Sequence, residues 1–358
     1  MKFNRFPVPF LALAILALIA ALWAGLLRLG WQLPALIPSL ALAHGPLMIS
    51  GFLGTLITLE RAVALKRKWM YIPPLLAGLG GLLSLLIQAL PLGPILLTLA
   101  SFGGVLILIE ITRREFALHT ATMLLGAFTW FAGNVLWLFG WQIHQVVLFW
   151  QGFLVLTIAG ERLELSRVLR PSRRQQIIFG AIAILYLMGI IIASFNMQAG
   201  TRLSGAALLA VALWSIRNDI AWRNLNHKIP LTRYIAWCLA LGFVWLGIGG
   251  GLSLVFGAQA AGPRYDALLH VVFVGFVISM IFGHAPIIFP AILGVPINFR
   301  PAFYLHLILL HASLALRVFA DYANLHILRM WGGLLNEVAI LLFIGMTVYS
   351  IRKSMTGK

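Results

Sequence analysis

Twelve apolar runs, each about as long as a bilayer's hydrocarbon core is thick, follow one another along this chain with only short polar joints between them. A membrane-crossing helix needs roughly 20 apolar residues. The runs fall near 7–29, 36–60, 70–90, 93–111, 117–140, 144–166, 176–195, 201–216, 231–256, 265–291, 301–320 and 325–351. Of the 358 residues, 61% are hydrophobic and 10% charged, and the mean hydropathy is +0.99. A soluble fold of this length has no interior large enough for that apolar content. The expected fold class is therefore all-α: a polytopic membrane protein of about 12 transmembrane helices, forming a single transmembrane domain over 1–358. The eighth run is the shortest. The opening MKFNRFPVPFLALAILALIA has a basic start and a long apolar run with no clear cleavage site, and it reads as a first span, not a leader.

The net charge of +17 suggests nucleic acid at first sight, but its distribution points to the lipid bilayer as partner. With the N-terminus inside, 21 of the 26 Lys and Arg residues fall on the inner side, among them Lys2, Arg5, Lys66, Arg67, Lys68, Arg113, Arg114, Arg162, Arg167, Arg170, Arg173, Arg174 and Lys358. Arg28, Arg202, Arg264, Arg317 and Arg329 fall on the outer side. Lys and Arg accumulate in cytoplasmic loops, so both termini are expected in the cytoplasm and no nucleic-acid role is expected. Glu60-Arg61 and Glu161-Arg162 close the second and sixth runs and read as interfacial ion pairs that anchor this topology.

Histidines recur at every fourth run. His44, His144 and His270 each stand near the start of the second, sixth and tenth runs. Each run then carries a Gly-Phe pair: Gly51-Phe52, Gly152-Phe153 and Gly275-Phe276. Nine residues after the glycine come Glu60, Glu161 and His284. Such self-similarity marks repeated architecture. Repeats over 1–111, 112–216 and 217–358 are expected, as a pseudo-threefold arrangement of four-helix arcs.

A histidine within a membrane span is costly without a partner, which makes these residues candidate ligands. By topology, His44 and His270 share the outer level, while His144 lies closest to the outer surface and reads as a vestige of the repeat. His270 and His284, 14 residues apart, would share one face of a regular helix about 21 Å apart in depth. Two levels of ligands follow: His44 with His270, and His284 with His306 or His311. Imidazole suits haem iron and copper, and helix-to-helix hydrogen bonding is the alternative role. Asp266, one turn before His270, either fixes that ring's tautomer or pairs with Arg264. Met48, four residues after His44, is a soft metal ligand or core packing. Glu337, midway along the twelfth run beside Asn336, is a candidate proton or ion relay or a structural hydrogen-bonding group. In GHAPIIFPAILGVP the prolines after His284 predict a broken helix, tolerated in a membrane where the freed carbonyls are buried or line a cavity. Cys238 is the lone cysteine, so no CxxCH attachment exists and any haem is held non-covalently.

The stretch ALLHVVFVGFVISMIFGH (267–284), with AGERLELSR (159–167) and with His44, Met48 and Gly51-Phe52, resembles the NnrS family of twelve-span bacterial membrane proteins. Ala43-His44-Gly45-Pro46 stands where that family doubles the histidine, and Glu161 where it has glycine. The resemblance implies a bacterial inner-membrane protein that binds haem, and also copper, in nitric oxide metabolism. More distantly, histidines on spans two, six and ten resemble the catalytic subunit of haem-copper oxidases, where His44 and His270 would match the low-spin haem pair. The seventh run has no histidine pair and the tenth no HxH, so that subunit's oxygen-reducing centre lacks its residues here. The expected function is a haem b protein, with copper as a further candidate, in respiratory or nitric-oxide-related redox metabolism, served by a redox partner or a homo-oligomer. A proton-coupled transporter and a non-catalytic membrane anchor subunit are the alternatives.

Overall fold

The computed structural model describes residues 3–86, 91–169 and 171–356. Lys2, Arg170 and Lys358 of the basic set, and the last four residues of the third run, lie outside them. Among the described residues there is no strand, and twelve helical stretches match the twelve runs in order. They are α1 (Val8–Leu29), α2 (Leu40–Leu65), α3 (Ile72–Leu83), α4 (Leu92–Arg114), α5 (Leu118–Leu138), α6 (Ile143–Leu165), α7 (Arg173–Ala193), α8 (Met197–Asn218), α9 (Pro230–Phe256), α10 (Gly262–Leu293), α11 (Phe303–Ala323) and α12 (His326–Thr356). All but α3 are long and apolar enough to cross a membrane. The chain is thus an all-α, multi-pass membrane protein. Helices suit that solvent because every main-chain N–H finds its partner within the segment.

The eighth helix is longer than its apolar run. It starts at Met197, where the Asn196 side chain accepts from the Ala199 N–H and caps the first turn. Hydropathy counting misses this turn because Gln198 and Arg202 dilute it; the cap carries the helix outward.

Cα packing divides the chain into two compact units, Met1–Phe153 with Ile292–Gly294, and Leu154–Ala291 with Val295–Lys358. In the first unit, α1 and α3 both pack on the middle of α2, and α3, α4 and α5 pack in sequence. In the second, α7, α8, α9 and α10 pack in sequence, as do α10, α11 and α12. Each unit holds one wide-turn segment with i→i+5 hydrogen bonding, Leu47–Gly54 in α2 and Val271–Ile278 in α10. The Gly-Phe pair occupies the fifth and sixth positions of both. Each segment packs against the helices before and after its own. The likeness of the second and tenth runs is therefore one of backbone as well as letters. The sixth run is α-helical from Ile143 to Leu165.

Two small residues set the packing of α2. A Cβ built on Gly51 would lie 3.0 Å from the Gly81 Cα, and one on Gly81 would lie 2.6 Å from the Gly51 Cα. Close backbone approach through small residues is how membrane helices gain packing contacts without a hydrophobic driving force. Nearby, a buried polar network ties four helices together. The Trp130 indole donates to Ser50 Oγ (2.9 Å), Ser50 and the Trp150 indole donate to Asn134 Oδ1 (3.3 and 3.0 Å), and Asn134 Nδ2 donates to the Leu97 carbonyl (3.1 Å). Trp130 also stacks on Phe153 at 4.6 Å.

Gly81→Val should lower stability by about 1–3 kcal/mol through overpacking, read as a lower unfolding temperature in detergent. Gly251→Ala, where nothing lies within 4 Å, should leave it within experimental error. Equal effects of the two changes would contradict this contact.

Candidate functional site

The second unit gathers its charges where the start of α10, the end of α11 and the start of α12 come together. Asp266 and His270 are one turn apart on α10. Arg317 lies on α11, six residues before that helix ends. The Arg317 fork donates from Nε to Asp266 Oδ2 (2.7 Å) and from Nη2 to Asp266 Oδ1 (2.8 Å). Planar two-point pairing of this kind is the strongest arginine–carboxylate geometry. Gly332 of α12 makes room for the arginine's backbone: a Cβ there would lie 2.8 Å from Arg317 N and Cβ. Asp266 thus pairs with Arg317 and not with its near neighbour Arg264, because α11 brings a buried guanidinium to it.

The His270 ring is held on both sides. Nδ1 donates to the Asp266 carbonyl (2.8 Å) and stands 3.2 Å from Asp266 Oδ1. That fixes Nε2 as the unprotonated nitrogen of the neutral ring, and Arg317 Nη2 approaches it at 3.4 Å. Asp266 thus contacts the His270 ring through both its main-chain carbonyl and its carboxylate. His44, in the first unit, donates from Nδ1 to the Ala21 carbonyl of α1 (2.7 Å), and His284 donates from Nδ1 to the Met280 carbonyl (2.7 Å). All three rings are half-buried. Met48 is half-buried within the wide-turn segment that follows His44.

The shared face of His270 and His284 does not survive in its simple form. It rests on about 100° per residue, and eight of the residues between them form the wider i→i+5 helix, which turns less per residue. The expected break after His284 falls later than the first two prolines of the motif. Pro286 and Pro290 lie inside α10, which runs on to Leu293 before Gly294 takes a φ of +72°. Each proline leaves the carbonyl four residues earlier without its helical donor.

His306 and His311 serve as struts between helices. His306 donates from Nδ1 to Met346 Sδ (3.4 Å) and accepts at Nε2 from the Tyr234 hydroxyl (2.8 Å). His311 accepts at Nδ1 from the Trp245 indole (2.9 Å) and donates from Nε2 to Ser279 Oγ (3.2 Å), whose hydroxyl donates to the Cys238 carbonyl (2.7 Å). With both nitrogens engaged, neither ring has a lone pair to give a metal. Glu337 is half-buried in α12 within electrostatic reach of Arg317. Its neighbour Asn336 is buried and donates to the Leu310 carbonyl and to Ser313 Oγ.

Arg162 is a correction. The sequence placed it at an interface beside Glu161. In the structure its guanidinium is buried and forms a two-point pair with Asp219 (both contacts 2.8 Å), just after α8. Asp219 in turn caps the short turn that follows by accepting from the Ala221 N–H. Neither partner was recognisable from adjacency, since 57 residues separate them.

No group of three or more His, Cys, Asp and Glu side chains among the described residues is arranged to hold a metal ion. What the site offers instead is single imidazoles with a set tautomer, and a compact ion-pair network in an apolar setting. Asp219→Asn should cost about 3–5 kcal/mol, because it leaves a buried guanidinium uncompensated. The double change Arg162→Leu/Asp219→Leu should cost less than Asp219→Asn alone in the same unfolding assay. A double mutant worse than the single would argue against a closed buried pair.

No curated protein matches the chain. A family model described as a domain of unknown function, DUF8744, matches residues 5–352. That match takes in eleven helices whole, α12 but for its last four residues, and every candidate residue described above, and the chain belongs to the DUF8744 family.

Proposed function

We propose that this protein binds haem b in the membrane and works in respiratory or nitric-oxide-related redox metabolism, as the NnrS resemblance implies. One observation carries the reading: His44, His270 and His284 each donate Nδ1–H to a main-chain carbonyl. A histidine that binds a metal through Nε2 has its other nitrogen committed in this way, which fixes tautomer and ring orientation. His44 and His270 are each a candidate axial ligand, considered within its own unit, with His284 as a candidate for a second centre. His306 and His311 are left out, since each ring bridges two other helices through its two nitrogens, whereas the second contact of the His270 ring is the longer one to Arg317. Arg317 would give up its 3.4 Å approach to His270 Nε2 while keeping Asp266. Bound haem supplies one-electron chemistry. The protein's part is to orient imidazole, surround it with apolar side chains and exclude water. Copper, with His44 and Met48 as soft-site candidates, is a further proposal. The NnrS resemblance implies a bacterial inner membrane, the Lys and Arg asymmetry supports both termini in the cytoplasm, and a redox partner or a second copy would exchange the electrons.

The purified protein should give a pyridine haemochrome spectrum of b type. His44→Ala and His270→Ala should each lose most of the bound haem while His311→Ala retains it. Protein prepared with haem supplied, yet free of haem and copper, would overturn the proposal. A proton-coupled transporter is the second reading, favoured by Glu337 midway along α12 within reach of Arg317. On that reading Glu337→Gln abolishes proton-coupled uptake into vesicles, and haem content is immaterial.

A further inference from the structure

Two residues before α11 ends, the Asp321 side chain is fully buried, and neither of its carboxyl oxygens has a hydrogen-bond partner. The nearest guanidinium on its own helix, Arg317 one turn earlier, has its fork committed to Asp266. Across the turn, Arg329 Nε stays 3.9 Å from Asp321 Oδ1, beyond hydrogen-bond distance. Arg329 directs Nη2 to His326 instead, at 3.0 Å. Asp321 therefore has charges around it and no donor on it. An ionised carboxylate without donors in an apolar interior is costly enough that such groups neutralise. A carboxylic acid in the same place needs only one acceptor for its O–H, and Asp266 is within electrostatic reach. The groups facing Asp321 are Asp266 from α10, Arg317 from α11 and Arg329 from α12. Tyr322 adjoins it and is itself within reach of Arg264. His270 and Glu337 bear on it only through Asp266 and Arg317.

We propose that Asp321 is a reversible proton-binding site of the second unit. A hydronium ion in the water at the exposed turn between α11 and α12, residues 323–326, gives a proton to one carboxylate oxygen: an O–H bond of the hydronium breaks, the carboxyl O–H forms, and the reverse transfer to water restores the carboxylate. No electron moves. The net charge of the Asp266–Arg317–Asp321–Arg329 group rises by one on protonation. Asp321 thereby sets the electrostatic field at His270 and Glu337 without touching either. The site differs from the proton relay expected at Glu337 and depends on neither haem nor transport.

The test is infrared spectroscopy of the purified full-length protein across a pH series, in water and in deuterium oxide. The wild type should show a carboxylic-acid C=O band that shifts on deuteration and disappears at high pH. Asp321→Asn should lose that band with little change in unfolding temperature, because the amide copies the neutral acid in size. Glu337→Gln should keep it. Persistence of every acid band in Asp321→Asn would overturn the proposal. So would an unfolding temperature that falls as far in Asp321→Asn as in Asp266→Asn, which would mark Asp321 as an ionised structural partner.

Discussion

Most polar groups within the helices of this protein find their partners inside the protein, because hydrocarbon supplies none. This constraint makes the backbone helical, and it acts with equal force on side chains. Arg162 takes Asp219, Arg317 takes Asp266, Trp130 and Trp150 take Ser50 and Asn134, and His306 takes Tyr234 and Met346. Each bond joins separate segments of the chain, so the polar residues of an apolar sequence act as its tertiary specification. The ion-pair network of the second unit is the densest case. It orders α10, α11 and α12 around Asp266, and the position of His270 follows from it.

The two wide-turn segments show a second use of the same solvent. An i→i+5 stretch keeps main-chain hydrogen bonds while changing the direction in which side chains leave the helix. In α2 it brings Gly51 against Gly81; in α10 it separates His270 from His284 in rotation. The Gly-Phe pair sits at the same two positions of both segments. The same pair in α6, Gly152-Phe153, lies in regular α-helix, so the irregularity needs more than these two letters. His44 stands three residues before one segment and His270 immediately before the other.

Much of the fold is legible in the letters because the signal is additive. Twenty consecutive apolar side chains outweigh any single exception, so the twelve helices and the all-α class follow from hydropathy alone. Helix starts are less legible where polar residues carry the first turn, as at Asn196 and Met197, since a cap is a single-residue event. The site was legible by type and not by role. Histidines and acids in apolar runs are conspicuous, and His44, His270, Asp266 and Glu337 stand out for that reason. Nothing in spacing separates His270, held by Asp266 on its own helix and by Arg317, from His311, held by a tryptophan and a serine of two other helices.

The sequence by itself determined the solvent, the helices and the short list of polar residues that had to be explained, because burial of apolar surface depends on composition and order. The tertiary structure alone decided who partners whom: Arg317 with Asp266 across 51 residues, Arg162 with Asp219 across 57, and Asp321 with no donor at all. Hydrogen bonds depend on a few tenths of an ångström and on angle. Those distances arise only when helices remote in sequence pack through glycines such as Gly51, Gly81 and Gly332.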